Sequence, residues 1–287
     1  MMKLDKSRTL RIIKAALKED IGTGDITTDN TIPKHESVKA SIIANEDCIL
    51  CGIDVAEWTM NSLDRSVRFK PQVDEGQHVY KGKEILFLEG HARSILTVER
   101  TMLNFLCLLS GIATRVSGFV EEISGLPAMI YDTRKTIPLL RYLEKYAVRV
   151  GGGHNHRQGL WDQVLIKDNH QRVANFGGGK NSLDNIRNSI TKKIEVEVEV
   201  ENLEQLKRML TASPDIIMLD NMSVSDVSKA VQIRNGSRSG EKPLLEASGG
   251  ITLENVREYA KTGVDRISIG SLTDSVESLD MSLEMVA

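Results

Sequence analysis

From about residue 125 onward the chain repeats one pattern, a short aliphatic or β-branched run, a polar turn, and an amphipathic helical stretch. The runs are MIYDTR, VLIKD, IEVEVEV, DIIMLD, PLLEAS and RISIG, and helical spacing follows them at 138–147, 182–189, 203–210, 224–234, 253–262 and 276–285. Parallel neighbours need long crossover connections, and right-handed helical crossovers pack back onto the sheet they leave. Six such units in succession predict an α/β fold with a parallel sheet curled into a barrel, with room for a seventh strand that the sequence does not locate.

The first hundred or so residues lack that rhythm and predict an α+β cap. Residues 7–19 have helical apolar spacing and run into EDIGTGDITTDNTIP, where Gly22, Gly24 and Pro33 predict a loop. Strands are expected at 38–43 and 67–69. Gly76, Gly82 and Gly90 stand at turn spacings like those of lipoyl-type hairpins, but no lysine occupies a hairpin tip, so they are structural. Residues 94–110 form a strongly apolar helix that nevertheless carries Glu99 and Arg100.

At 287 residues with a net charge of −3, the chain has no global basic field for nucleic acid or anionic lipid. Its longest apolar runs, such as VKASIIA, fall short of the roughly 20 residues of a membrane span. The N-terminus shows no signal-peptide hydrophobic region, so the expected address is the cytoplasm. Cys48, Cys51 and Cys107 are too few for a disulfide framework, and CILC lacks the second pair of a zinc site.

In a parallel barrel the chemistry sits at the C-terminal ends of the strands. Here those ends carry Arg134 and Lys135, Lys167 and Asp168, Glu199 and Glu201, Asp220, Ser248 with Gly249 and Gly250, and Gly270. Residues 131–170 add His154, His156 and Arg157 around a triple glycine, a local excess of cations that calls for anionic company. Part of it is internal: in IEVEVEV side chains alternate, so Glu195, Glu197, Glu199 and Glu201 face the barrel when the valines pack under the helices. Buried carboxylates need partners, and Lys135, Lys167 and Arg134 are the expected counterions.

The small residues of ASGG and SIGS suit close approach of backbone N–H groups and following helix N-termini to a phosphate. GGGK at 177–180 lacks the Ser or Thr and the preceding strand of a P-loop and is expected to be a flexible loop. His154 and His156, two apart, could ligate a metal from an extended segment, but Arg157 beside them favours hydrogen bonding to an anion.

Taken in order, DTRKT, KYAVRVGGGHNHRQGLWDQVLIKDNH, EVEVEN, LDNM and LEASGGI resemble the quinolinate phosphoribosyltransferase family, also called nicotinate-nucleotide diphosphorylase. The likeness extends from EDIGTGDIT through ERTMLNFLCLLSGIAT to GSLTDSVESLDMSLEM. It implies an N-terminal α/β sandwich over 1–110 and an incomplete, about seven-stranded α/β barrel over 111–274, with a C-terminal helix at about 275–287 packing back on the sandwich. The implied reaction joins quinolinate and phosphoribosyl diphosphate, with Mg2+, into nicotinate mononucleotide, diphosphate and carbon dioxide on the de novo route to NAD.

By the same resemblance Arg134, His156, Arg157 and Lys167 surround the quinolinate carboxylates and Lys135 lies near the ribosyl diphosphate. Glu199 and Asp220 meet the ribose hydroxyls or magnesium, Ser248, Gly249, Gly250 and Gly270 line the phosphate, and Arg100 reaches the site of the second subunit of a homodimer. Lys135 and Lys167 both remain candidates for assisting protonation after decarboxylation. Where many members have ALTHS, this chain has Ser271, Leu272, Thr273, Asp274 and Ser275, which removes a histidine. Competing readings are a molybdenum-transport-associated relative, a Schiff-base lysine barrel enzyme, and a non-catalytic barrel that binds a phosphorylated metabolite.

Overall fold

The computed structural model describes residues 3–173, 180–190, 194–237 and 242–286. The chain forms two compact units, one of residues 1–117, 136–152 and 272–287, the other of residues 118–135 and 153–271.

The first unit begins with α1 (Lys6–Ile21), capped by the Asp5 carboxylate on the Arg8 amide at 2.8 Å. The expected loop after it contains a helix instead, α2 (Ile26–Thr31), because Asp25 accepts the Thr28 amide and starts a turn that the nearby glycines do not prevent. β1 (Ser37–Ala44) and β2 (Cys48–Ile49) precede α3 (Ile53–Leu63), a helix the sequence pattern does not announce. Then come β3 (Arg68–Pro71), β4 (His78–Val79), β5 (Glu84–His91) and the long α4 (Ala92–Glu122).

By length and composition α4 could cross a membrane, more than the separate apolar runs suggest. In this fold its stripe is core: Ile95, Val98, Met102, Leu106, Leu109, Ala113 and Val116 are fully buried, and the larger of these side chains each contribute on the order of 1.5–3 kcal/mol. Glu99 and Arg100 lie off that stripe, half-buried and exposed respectively, which is how an apolar helix accommodates them.

In the second unit β6 (Met129–Tyr131) opens a parallel sheet, while the helix that follows it in sequence, α5 (Arg141–Val150), belongs to the first unit. The chain continues through β7 (Val164–Ile166), α6 (Asp168–Val173), α7 (Lys180–Ser189), β8 (Val196–Val200), α8 (Leu203–Ala212), β9 (Ile216–Asp220), α9 (Val224–Gly236), β10 (Leu244–Ser248), α10 (Val256–Lys261), β11 (Arg266–Ser268) and α11 (Ser271–Asp274). All six strands fall within the runs read from sequence, in the sheet order β6-β11-β10-β9-β8-β7. Residues 177–179 of the GGGK segment lie outside the described residues.

Beside β6, His154 makes one parallel bridge with Tyr131, a single-residue seventh position at the sheet edge. Glu197 of β8 and Glu246 of β10 both converge on His156, just past that edge, so the sheet curls around one interior as an incomplete barrel.

The C-terminal segment is a correction. Residues expected as a helix at about 275–287 instead form β12 (Met281–Val286), antiparallel to β1 with Ala44 opposite Met281 and Lys39 opposite Val286. Helical spacing loses here because β1 would otherwise leave one edge unpaired; the resulting order is β12-β1-β5-β3. Gly111 on α4 admits the returning chain, since a Cβ there would stand 2.3 Å from the Glu277 carbonyl oxygen.

Candidate active site

The site begins where β6 ends. Asp132 is fully buried, and its carboxylate accepts the His156 amide at 2.8 Å and the Asn155 side-chain amide at 2.7 Å. That ties the HNHR segment to the DTRK turn, from which Arg134 emerges half-buried and Lys135 exposed. Arg157 donates from Nη1 to the Gln163 carbonyl at 3.2 Å. Partial burial and then the like charge of Arg134 push the Arg157 pKa down. Two guanidiniums near enough to feel each other form a ready receptor for a ligand with carboxylates.

Across the same rim Lys167, the residue after β7, donates to Glu199 Oε2 at 3.0 Å. The glutamates of β8 divide by position: Glu195 and Glu201 are exposed at its ends, Glu199 is largely buried, and Glu197 is fully buried. The expected lysine counterion therefore serves Glu199. Glu197 instead meets His156 Nε2 at 2.9 Å and the Gln163 side-chain amide at 2.9 Å, while Glu246 lies 3.5 Å from the same imidazole nitrogen. Burial pushes both carboxyls up to about 7, with Arg266 and Arg157 opposing the rise at Glu197, and Glu197 reinforcing it at Glu246.

Donor atoms of His156, Glu197 and Glu246 lie within 4.8 Å of one another, a spacing that a metal could use. The hydrogen bonding argues otherwise. His156 Nδ1 accepts the Arg157 amide at 2.8 Å, which leaves the ring proton on Nε2, the nitrogen that faces the two glutamates and that a metal would need unprotonated. The imidazole is thus buried, turned to the interior, and holds the Arg157 backbone from below.

The small-residue side is formed by β9, β10 and β11. Asp220 and Ser248 are register partners, as are Ser248 and Ser268. Gly249 and Gly250 follow with φ of +96° and +62°, and Gly270 directly precedes α11. The helix dipole expected at the first of these turns is absent: α10 starts only at Val256, because Asn255 closes a turn of its own by donating to the Gly250 carbonyl and accepting the Thr252 amide. Asn221, between β9 and α9, donates to Asp220 Oδ2 at 2.8 Å.

All the rim residues read from sequence thus lie in the second unit; Arg100 lies on α4 in the first. Missed residues are Asp132, Gln163, Asn221, Glu246 and Arg266. Asp132 and Glu246 each had a signal, a carboxylate at the inward parity of an apolar run; Asn221 had none.

An incomplete α/β barrel with a guanidinium pair, a lysine–carboxylate pair and glycine turns on one rim defines an enzyme class that handles polyanionic substrates at its strand ends. The comparisons narrow this. Residues 25–110 match the quinolinate phosphoribosyl transferase N-terminal domain, and residues 112–284 match its C-terminal domain. The chain belongs to the quinolinate phosphoribosyltransferase family.

Among similar proteins, the nicotinate-nucleotide pyrophosphorylase (carboxylating) of Mycobacterium leprae is 44% identical over 276 residues, 95% of each chain. A probable enzyme of the same name from Methanocaldococcus jannaschii is 42% identical over 285 residues, 98% of each. The solved nicotinate-nucleotide pyrophosphorylase from Francisella tularensis superposes with a TM-score of 0.90 at 40% identity, covering 99% of this chain and 98% of that one.

Proposed function

We propose that this protein transfers the phosphoribosyl group of phosphoribosyl diphosphate to quinolinate with loss of one carboxylate, giving nicotinate mononucleotide, diphosphate and carbon dioxide in de novo NAD biosynthesis. The observation that carries the reading is the Arg134–Arg157 pair, whose like charges suit a dicarboxylate, set on the same rim as Asp220 and the Ser248–Gly250 turn.

Arg134, Arg157 and Lys167 bind the quinolinate carboxylates, each charge-assisted hydrogen bond contributing about 1.5–3 kcal/mol. His156 acts beneath them, fixing the Arg157 backbone through Nδ1. Lys135 faces the diphosphate of the donor. As the pyridine nitrogen bonds to the anomeric carbon and the C–O bond to diphosphate breaks, positive charge develops on the sugar, and Glu199 and Asp220 stabilise it. The electron pair of the breaking carbon–carboxylate bond then stays on the ring carbon, where the adjacent positive nitrogen stabilises it, and Lys135 or Lys167 delivers to that carbon the proton that replaces carbon dioxide.

Magnesium belongs to this reading. Glu199 and Asp220 would hold it, and their hard oxygen donors suit that ion; Glu199 lines a cavity of about 200 Å3 together with Asp168, Arg172 and Glu201. When bound it supplies charge neutralisation for the diphosphate. The same reading carries a cytoplasmic address and a homodimer in which Arg100 enters the second subunit's site. No partner in nucleic acid or membrane is part of it.

The test is diphosphate release with Mg2+ and phosphoribosyl diphosphate, comparing quinolinate with nicotinate as acceptor. Turnover with quinolinate alone is expected. Equal turnover of nicotinate, or none with quinolinate, would overturn the assignment.

A further inference from the structure

The turn after β9 holds one residue in a backbone conformation that L-residues rarely adopt. Asn221 has φ +52°, in the left-handed region that asparagine tolerates because its short amide can bond locally. Three contacts depend on that conformation. Its side-chain nitrogen donates to Asp220 Oδ2 at 2.8 Å, and its main-chain N–H donates to the Ser248 carbonyl at 2.8 Å. Its Oδ1 lies so close over Gly249 that a Cβ there would stand 2.1 Å from it.

Asn221 is exposed, so the conformation brings no core packing. What it gains is a link between two site turns: the amide fixes the direction of a carboxylate on β9, and the backbone and Oδ1 seat the glycine turn of β10. Gly249 is then glycine for two reasons, its φ of +96° and the amide above it. Strained residues of this kind occur where the surrounding structure fixes them for a task.

We propose that Asn221 is a positioning residue for the phosphorylated sugar donor, setting the Asp220 carboxylate and the Ser248–Gly250 turn as one unit that reads ribose hydroxyls and the sugar phosphate together. The proposal rests on the function proposed above. It differs from a purely structural role in that only donor binding depends on the amide.

Two variants of the full chain separate these roles, assayed with quinolinate, phosphoribosyl diphosphate and Mg2+. Asn221→Gly keeps the left-handed backbone without strain and removes the amide. Asn221→Asp keeps the shape but replaces the donor with a second carboxylate beside Asp220. In both, KM for phosphoribosyl diphosphate should rise roughly 10- to 100-fold, as for loss of a hydrogen bond to a charged group. The dissociation constant for quinolinate alone should stay within about twofold, and the melting temperature within about 2 °C.

Wild-type KM for the donor in either variant would overturn the positioning role while leaving the reaction intact. Equal loss of quinolinate and donor binding with a fallen melting temperature would overturn it too, in favour of a general folding role. Wild-type protein that fails to turn over quinolinate would refute the reaction itself, and the proposal with it.

Discussion

Glu246→Gln should make the barrel more stable, and only above acidic pH. Glu246 is fully buried on β10, 3.5 Å from His156 Nε2, and burial together with the charge of Glu197 raises its pKa from 4.5 to about 7. Below pH 4.5 the carboxyl is protonated in both folded and unfolded chains, and burial carries no ionisation penalty. Between 4.5 and about 7 the unfolded chain ionises while the folded one keeps its proton, so stability falls as pH rises; above about 7 the full penalty persists. A shift of that size corresponds to at most about 3 kcal/mol.

Glutamine is nearly isosteric, never ionises, and can donate its amide to Glu197, so it removes this slope. Urea unfolding followed by far-UV circular dichroism at pH 5 and pH 8 gives the difference directly. The variant should gain on the wild type by about 1–3 kcal/mol more at pH 8 than at pH 5. A variant-to-wild-type difference that does not change with pH would refute the assignment of Glu246 as a carboxyl held neutral by burial.

Further outcomes follow from the same geometry. Arg134→Ala should weaken quinolinate binding by roughly 10- to 100-fold in calorimetry through loss of a bidentate carboxylate contact, and unchanged affinity removes Arg134 from the pocket. Hybrid dimers of an Arg100→Ala subunit and a Lys135→Ala subunit should recover part of the wild-type activity that neither homodimer shows; demonstrated hybrids without activity contradict a site completed in trans. Asp25→Ala should lower stability by about 1 kcal/mol at neutral pH through loss of the α2 cap. The cap lowers the Asp25 pKa below 3.8, so its contribution is present above that value and lost as pH falls through the depressed one; an effect that survives full protonation excludes the cap as its cause.

The barrel strands were legible because buried parallel strands read as aliphatic runs whatever surrounds them. The rim was legible because strand ends are where polar residues interrupt those runs, as at Lys167, Asp220 and Ser248. The C-terminal segment was not, because its amphipathic spacing suits a helix, and only the open edge of β1, about 240 residues away, decides for a strand. Glu197 and Glu246 show the same limit at the site. Their inward parity could be read, but their shared contact with His156 depends on how the sheet curls. Asn221 was invisible for a different reason: its role lies in a backbone angle rather than in its place in an apolar pattern.

The central claim, that the cationic rim binds a dicarboxylate and that transfer is coupled to decarboxylation, is tested most directly with quinolinate labelled in the carboxylate next to the ring nitrogen. Labelled carbon dioxide and diphosphate should appear in a one-to-one ratio, with nicotinate mononucleotide free of label. Diphosphate release with the label retained in the nucleotide, or release of label without phosphoribosyl diphosphate, would contradict it.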